Sequence, residues 1–473
     1  MQSKFASVAG GFASAYLTSL AAFAQPVPLL VQGDAVSGVG LVTRIDNLAV
    51  NNSGVWMVEA DTDNSDTNAD VVVVRNGMLF LQENQLLAAP AGANLSSVDA
   101  FNLNAAGHSG WNSFLRNTGG STNDSGIFYD DTLVLQEGFV SLDPGFSAGT
   151  PYIGFFHTFF NDANQILVIA SVDDPAIPTT VDRALVVLNY DPAMGSFQES
   201  VLFKEGDVLP GQTETVADFG TGAHDTGFNN AGDVLFFADL TGDTTRDGVI
   251  YLNSTLLAQE GSPSPVAGRN WLSLTTTGRA LNNAGDYVYR GTLAGDTATD
   301  QVIIKNNAVF RQEGDSLPAI GAFSFTAFGT GPIGLSDAGD VLWWGDWNDP
   351  DTTQDTGLFL NDQLLVQEGV TMINGLLVQS VSGGESGSAI SPNGRFIIFE
   401  ATLTNGSTTF NGAFLIDRGG SCPADFNADG SVNSQDFFDF LAAFFASDAD
   451  FNHDGVTNSQ DFFDFLAAFF AGC

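Results

Sequence analysis

Positive charge is what this sequence has least of. Only 14 Lys and Arg stand against 55 Asp and Glu, a formal net charge of −41. A protein that grips nucleic acid needs a basic footprint on the phosphates, so that class is excluded. Attraction to an anionic membrane surface is excluded on the same ground. Glutamate is scarce among the acids, 11 residues against 44 Asp. That bias, with 53 Gly, favours turns over long helices. Histidine is scarcer still: His108, His157, His224 and His453, with no metal-ligand spacing between any two. No H-E-x-x-H motif and no P-loop occur. One G-x-S-x-G is present, Gly145 to Gly149, but Thr150-Pro151-Tyr152 follows and starts a strand. A nucleophile elbow needs a helix there, so the match is read as chance. A glycosidase needs two carboxylates a few ångströms apart, and nothing in the sequence singles out such a pair. No catalytic residue is therefore assigned. Disorder is excluded, because 44% of residues are hydrophobic and 40 are Phe.

Residues 1–24 are the exception to the lack of apolar runs. Lys4 precedes a small-residue and apolar stretch ending in Ala22-Phe23-Ala24 before Gln25. That is the pattern of a secretory signal peptide, and it predicts a secreted protein. No later stretch approaches the ~18–20 apolar residues of a membrane-spanning helix. Only two cysteines occur, Cys422 and Cys473, and they bracket the last 52 residues. Export permits a disulfide, so the pair is expected to staple that segment. The alternative keeps Cys473 free as an attachment point.

Between these ends the chain repeats itself, and a repeat fixes architecture. Asn229-Asn230-Ala231-Gly232-Asp233 returns as Asn282-Asn283-Ala284-Gly285-Asp286. Weaker copies begin at Asn51, Asn104, Asn161, Ser336 and Ser391, making seven. Their Gly positions, with Asn164 standing in the third, step by 53, 57, 68, 53, 54 and 55 residues. Gln-Glu-Gly recurs in phase, as at Gln312-Glu313-Gly314 and Gln367-Glu368-Gly369. An Asp precedes the next apolar run in six copies, with Asn411 in the last. Each unit reads as four short strands; in the fifth they fall at 272–281, 286–293, 301–305 and 308–312. Seven such units predict an all-β, seven-bladed β-propeller over residues 25–419. The seventh unit lacks its last strand, while Leu29-Leu30-Val31-Gln32-Gly33 resembles Leu364-Leu365-Val366-Gln367-Glu368. The N-terminal strand should therefore complete the last blade and close the ring.

The phrase N-x-x-G-x-x-x-F/W/Y followed by Q-E-G resembles the tandem NxxGxxxF repeats of exported bacterial proteins. The resemblance covers roughly residues 29–417 and implies surface location without any assigned chemistry. Glu83, Glu137, Glu205, Glu260, Glu313 and Glu368 recur at equivalent places, so a structural task is expected, accepting backbone N–H groups at turns. The recurrent Asp is read as a turn residue. A ring of cation sites in the acidic loops is the functional alternative.

Residues 420–473 change character. The last 52 hold 12 of the 40 Phe and nine Asp, with no Lys or Arg. A 25-residue unit is duplicated there. Its first loop offers Asp425, Asn427, Asp429, the Ser431 carbonyl, Asn433 and Asp436. The second offers Asp450, Asn452, Asp454, the Val456 carbonyl, Asn458 and Asp461. Oxygen ligands at positions 1, 3, 5, 7, 9 and 12 around a Gly are what calcium requires, so two Ca²⁺ ions are expected. Each loop should run into one helix, 434–446 and 459–471. Phe437, Phe440, Leu441, Phe444 and Phe445 form an apolar face on the first, and Phe462, Phe465, Leu466, Phe469 and Phe470 on the second.

This segment is similar to the duplicated dockerin pattern, most of all to GC-type dockerin-like domains that end in Gly-Cys. The resemblance implies calcium-dependent folding and docking to a cohesin-like module or surface-anchoring machinery. The residues it marks as partner-binding are Ser434, Gln435, Ser459 and Gln460. Taken together, the sequence predicts an exported, non-enzymatic surface protein. The alternative is a polysaccharide-degrading enzyme, or an accessory to one, delivered by its dockerin-like segment.

Overall fold

The computed structural model describes residues 25–177, 182–222, 224–274, 278–384, 387–419, 424, 426–427, 432, 434–452 and 456–471. The expected leader and both cysteines lie outside these. Asn-x-x-Gly turns set the fold locally. In each, a residue with positive φ reverses the chain, such as Gly232 at 82° and Gly285 at 85°. The third copy uses Asn164 at 58°, which explains why Asn can replace Gly there. Between such turns the chain forms seven antiparallel sheets. The fifth consists of Trp271–Ser273 with Arg279–Leu281, then Tyr287–Leu293, Gln301–Lys305 and Ala308–Gln312.

The first strands of successive sheets touch one another all the way round: Gly40–Val50, Asn94–Leu103, Tyr152–Phe160, Thr226–Phe228, Arg279–Leu281, Gly334–Leu335, Ser388–Ile390 and back to Gly40–Val50. They form the inner wall of a seven-bladed β-propeller. The N-terminal strand Val27–Val31 pairs antiparallel with Thr409–Asp417, Val27 opposite Leu415 and Val31 opposite Gly412. The first strand of the ring thus completes its last blade, as the sequence predicts.

Seven apolar cores lie between the blades, one at each junction. Period-2 alternation splits each central strand between two of them. Ile166, Val168 and Ala170 pack toward the second blade, Leu167 and Ile169 toward the fourth. Both faces being buried, these strands read as unbroken apolar runs.

Beyond the ring stand two helices, α1 (Ser434–Phe445) and α2 (Ser459–Ala471). Phe440 and Phe465 are fully buried and stack with centroids 4.0 Å apart. Phe437, Phe444, Phe462 and Phe469 pack around them. Phe445 and Phe470, expected on the same face, are instead 80% and 81% exposed. Each lies about 100° around the helix from its packed neighbour Phe444 or Phe469. They align with exposed Phe438 and Phe463, seven residues earlier, as a second apolar stripe.

Candidate functional site

The repeated residues come first, because they separate scaffold from site. Each leading Asn closes its own turn and also reaches the next blade. Asn229 Oδ1 accepts the amides of Ala231 and Asp233, while its Nδ2 donates to the Asn282 carbonyl at 3.1 Å. Asn282 does the same to Ser336, and Asn51 to Asn104. The second residue adds another link: Asn230 N–H to Asn283 Oδ1, then Asn283 N–H to Asp337 Oδ1. The motif is therefore a circumferential rivet as well as a turn.

Three of the six recurrent glutamates accept backbone amides, as expected. Glu313 accepts the amides of Asp300 and Gln301, Glu137 that of Asp124, and Glu260 that of Leu274. Glu83 departs from this pattern by taking Arg116, and Glu368 by taking the Thr356 hydroxyl. At the recurrent Asp the shared bond is made by the carbonyl, which accepts the last amide of the preceding strand; Asp300 takes that of Leu293. Carboxylates in the acidic loops accept their own backbone two residues on, Asp66 from Asn68 and Asp351 from Thr353. Among the described residues, no group of three or more His, Cys, Asp or Glu is placed to hold a metal ion. Ser147 sits in a loop before a strand, with no helix after it.

Non-repeated polar residues gather instead on the inner wall. Every first strand is bulged or divided near its middle: it is bulged at Asp46–Asn47, Asp99 and Phe156–His157, and the other four end at Phe219, Ser273, Ala327 and Val381 and resume at Thr226, Arg279, Gly334 and Ser388. Bulges of this kind re-aim side chains next to functional sites. Behind them, a second-strand position that is apolar in other blades becomes Glu59, Asn112 and Arg290, and blade seven adds Glu400 one residue further on.

Two arcs of opposite character result. Blades seven, one and two carry Asp46, Glu59, Asp99 and Glu400. Asn47 donates to Glu59, Asn112 to Asp99 at 3.1 Å, and Asn411 to Glu400 at 2.7 Å. Asn411 also accepts the Ile45 amide at 2.7 Å, tying blade seven to blade one. Burial raises the Glu59 carboxyl to about 8 and Asp99 to about 6, and raises Asp46 and Glu400. Glu59 and Asp99 therefore hold protons at pH values where exposed carboxyls do not.

The other arc spans blades three to six. Arg279, 3% exposed, pairs with Asp225 at 2.8 Å. Arg290, 4% exposed, donates to the carbonyls of Gly329 and Gly331. Burial, then the neighbouring Arg279, lowers the Arg290 guanidinium to about 10. His157 Nδ1 and His224 Nε2 are buried without hydrogen-bond partners. Burial lowers both rings, His224 to about 4, so each is neutral. These histidines are 67 residues apart in sequence, yet His157 disfavours charge on His224, because the inner strands of blades three and four touch and His224 stands just before the second of them.

At the C-terminal segment, Asp425, Asp429, Ser431, Asn433 and Asp454 lie outside the described residues, as do Cys422 and Cys473. The closing carboxylates do not: Asp436 and Asp461 are both fully buried. Asp461 accepts the amides of Phe451 and Asn452 through Oδ1 and of Asn458 through Oδ2. The Asn458 amide above all holds its carboxyl below the usual range. Asp436 accepts the amide of Asn427, the equivalent of Asn452. Asn427 and Asn452 reach Asp439 and Asp464 in matching bonds. The Val456 carbonyl accepts the Asn458 side chain at 3.1 Å, and Asp450 opens the second loop. The described members of the expected set, Asn427, Asp436, Asp450, Asn452, Val456, Asn458 and Asp461, offer oxygen donors, the atom type a hard cation takes. Ser434, Gln435, Ser459 and Gln460 are exposed on the first turns, where Gln435 and Gln460 bond Asp439 and Asp464.

Solved structures align with this chain at low identity. The Trypanosoma rangeli sialidase in complex with the inhibitor DANA matches at 9% identity and a TM-score of 0.31. That alignment takes in 90% of this chain, which spans 61% of the sialidase. Polysaccharide lyase Uly1 matches at 10% and 0.35, covering 82% of this chain and 91% of the lyase. TolB from Acinetobacter baumannii matches at 14% and 0.30, covering 78% of each. No curated protein matches. The sequence model of one family fits residues 24–254 and again 193–371, and the chain belongs to that family, DUF7453, a family of unknown function.

Proposed function

We propose that this is an exported, non-enzymatic surface protein. Its propeller serves as a binding scaffold, and its C-terminal segment binds two Ca²⁺ ions and docks to a cohesin-like module or surface-anchoring machinery. One observation carries the reading: Asp436 and Asp461 are equivalent, fully buried carboxylates in a segment without a single Lys or Arg. Backbone amides reach both carboxylates but leave their net charge in place, and a bound cation would offset it. Calcium would neutralise the crowded loop carboxylates, and the duplicated Ser-Gln pairs beside them would present the docking residues. Calorimetric titration of the chelated full-length chain should give two Ca²⁺ per chain, and one each for Asp436→Asn and Asp461→Asn. Wild-type protein that takes up no calcium would sink the proposal.

The alternative, a polysaccharide hydrolase or its accessory, is favoured by Glu59 and Asp99. These are non-repeated carboxyls from adjacent blades with raised proton affinity, as a general acid requires. It predicts reducing-sugar release from a polysaccharide panel that falls at least ~100-fold in Glu59→Gln. Equal release by the variant, or none by the wild type, refutes it.

A further inference from the structure

Arg290 is a buried cation without an anion. It forms none of the ion pairs among the described residues, whereas Arg279, the cation that bears on it, takes Asp225. Two of its nitrogens donate to carbonyls, and Nε has no partner. Gly278, at φ 95°, lies against its face: a Cβ there would stand 2.9 Å from Cζ. The glycine permits the guanidinium to sit where it does.

Arg290 lines a cleft of about 440 Å³ between blades five and six, together with Thr292, Asp300, Gln301, Phe328 and Thr330. That volume falls in the range of roughly 300–1,000 Å³ typical of small-molecule sites. Hydroxyl, amide and aromatic groups around a single cation suit a compact polar ligand with one negative charge.

We propose that this cleft binds a small monocarboxylate, a sugar acid or its like, through a charge-assisted hydrogen bond to Arg290. Guanidinium and carboxylate match in shape and charge. Asp300 sets the charge limit: a single carboxylate can turn toward Arg290, whereas a dianion also meets the Asp300 carboxylate. The inference gives the scaffold reading a ligand class and rests on the propeller alone, so it stands or falls apart from calcium binding.

The test is thermal melting of the full-length chain in sodium glucuronate, glucose, sodium sulfate and sodium chloride, the salts at matched ionic strength. Glucuronate should raise the melting temperature saturably, while glucose and sulfate should match chloride. Arg290→Gln should lose the glucuronate response, and Asp300→Asn should extend it to sulfate. The Asp300 amide and carbonyl hold Glu313 and Leu293, and Asn keeps the side chain's shape beside the Glu313 carboxyl, so that second variant keeps the fold. A glucuronate response no larger than chloride's overturns the proposal. So does a response retained in Arg290→Gln, or an unchanged anion preference in Asp300→Asn.

Discussion

At the scale of single residues, the repeat motif does two jobs, and only one is visible in sequence. Asn282 was readable as a turn former. Its Nδ2 bond to the next blade was not, because spacing says nothing about which turn lies alongside. Asn282 is 3% exposed, and Asn282→Ala leaves the Asp286 amide and the Ser336 carbonyl short of a partner. Stability should fall by about 1–3 kcal/mol in denaturant unfolding. The polar residues of the inner wall were legible in principle. Glu59, Asn112 and Arg290 each stand five residues after the turn's Gly, a position held by Ile169, Phe237 and Trp344 in other copies. Polar residues at an apolar repeat position were the available signal. Glu59 also has a pH signature. Its folded carboxyl titrates near 8, against 4.5 for an ordinary one. The neutral form is favoured in the fold, so its contribution is full below pH ~4.5 and is lost as pH rises through 8. Wild-type melting temperature should therefore decline over that window, and decline less in Glu59→Gln.

Elements were legible where their periodicity was unbroken. Strands at 301–305 and 308–312 fall where alternation places them. The first strand of blade five, read as continuous over 272–281, is divided into Trp271–Ser273 and Arg279–Leu281. Leu274 and Gly278, the described residues at its two broken ends, lie outside both pieces. The helices show the complementary error. A broad i, i+3, i+4 face placed Phe445 with Phe444, yet two helices that cover only one another bury a narrower stripe. Phe440→Ala should destabilise the helical pair by about 3–5 kcal/mol, read as faster proteolysis of the C-terminal segment. Phe445→Ala should stay within about 0.5 kcal/mol of wild type in the same assay.

For the whole molecule, closure of the ring was the most legible feature. It needed only the fragment at 29–33 and the strand missing from the seventh unit. Leu30 is 6% exposed in the junction core between blades seven and one. Leu30→Ala should cost about 2–5 kcal/mol, measured by denaturant unfolding. What the array could not reveal was the division of its inner wall into an acidic and a basic arc, since those residues are the ones that do not repeat.

The seam that shuts the ring has a mechanical consequence. Val27 lies beside Leu415, so the chain enters the closing strand and leaves its partner at the same end of the ladder. Tension between the two termini would load the hydrogen bonds one at a time and unzip the blade, rather than shear all of them together. Held through residues 420–473 alone, the ring carries no such load. Tethered at both ends, it would open at that seam first, and blade seven would come apart before any other.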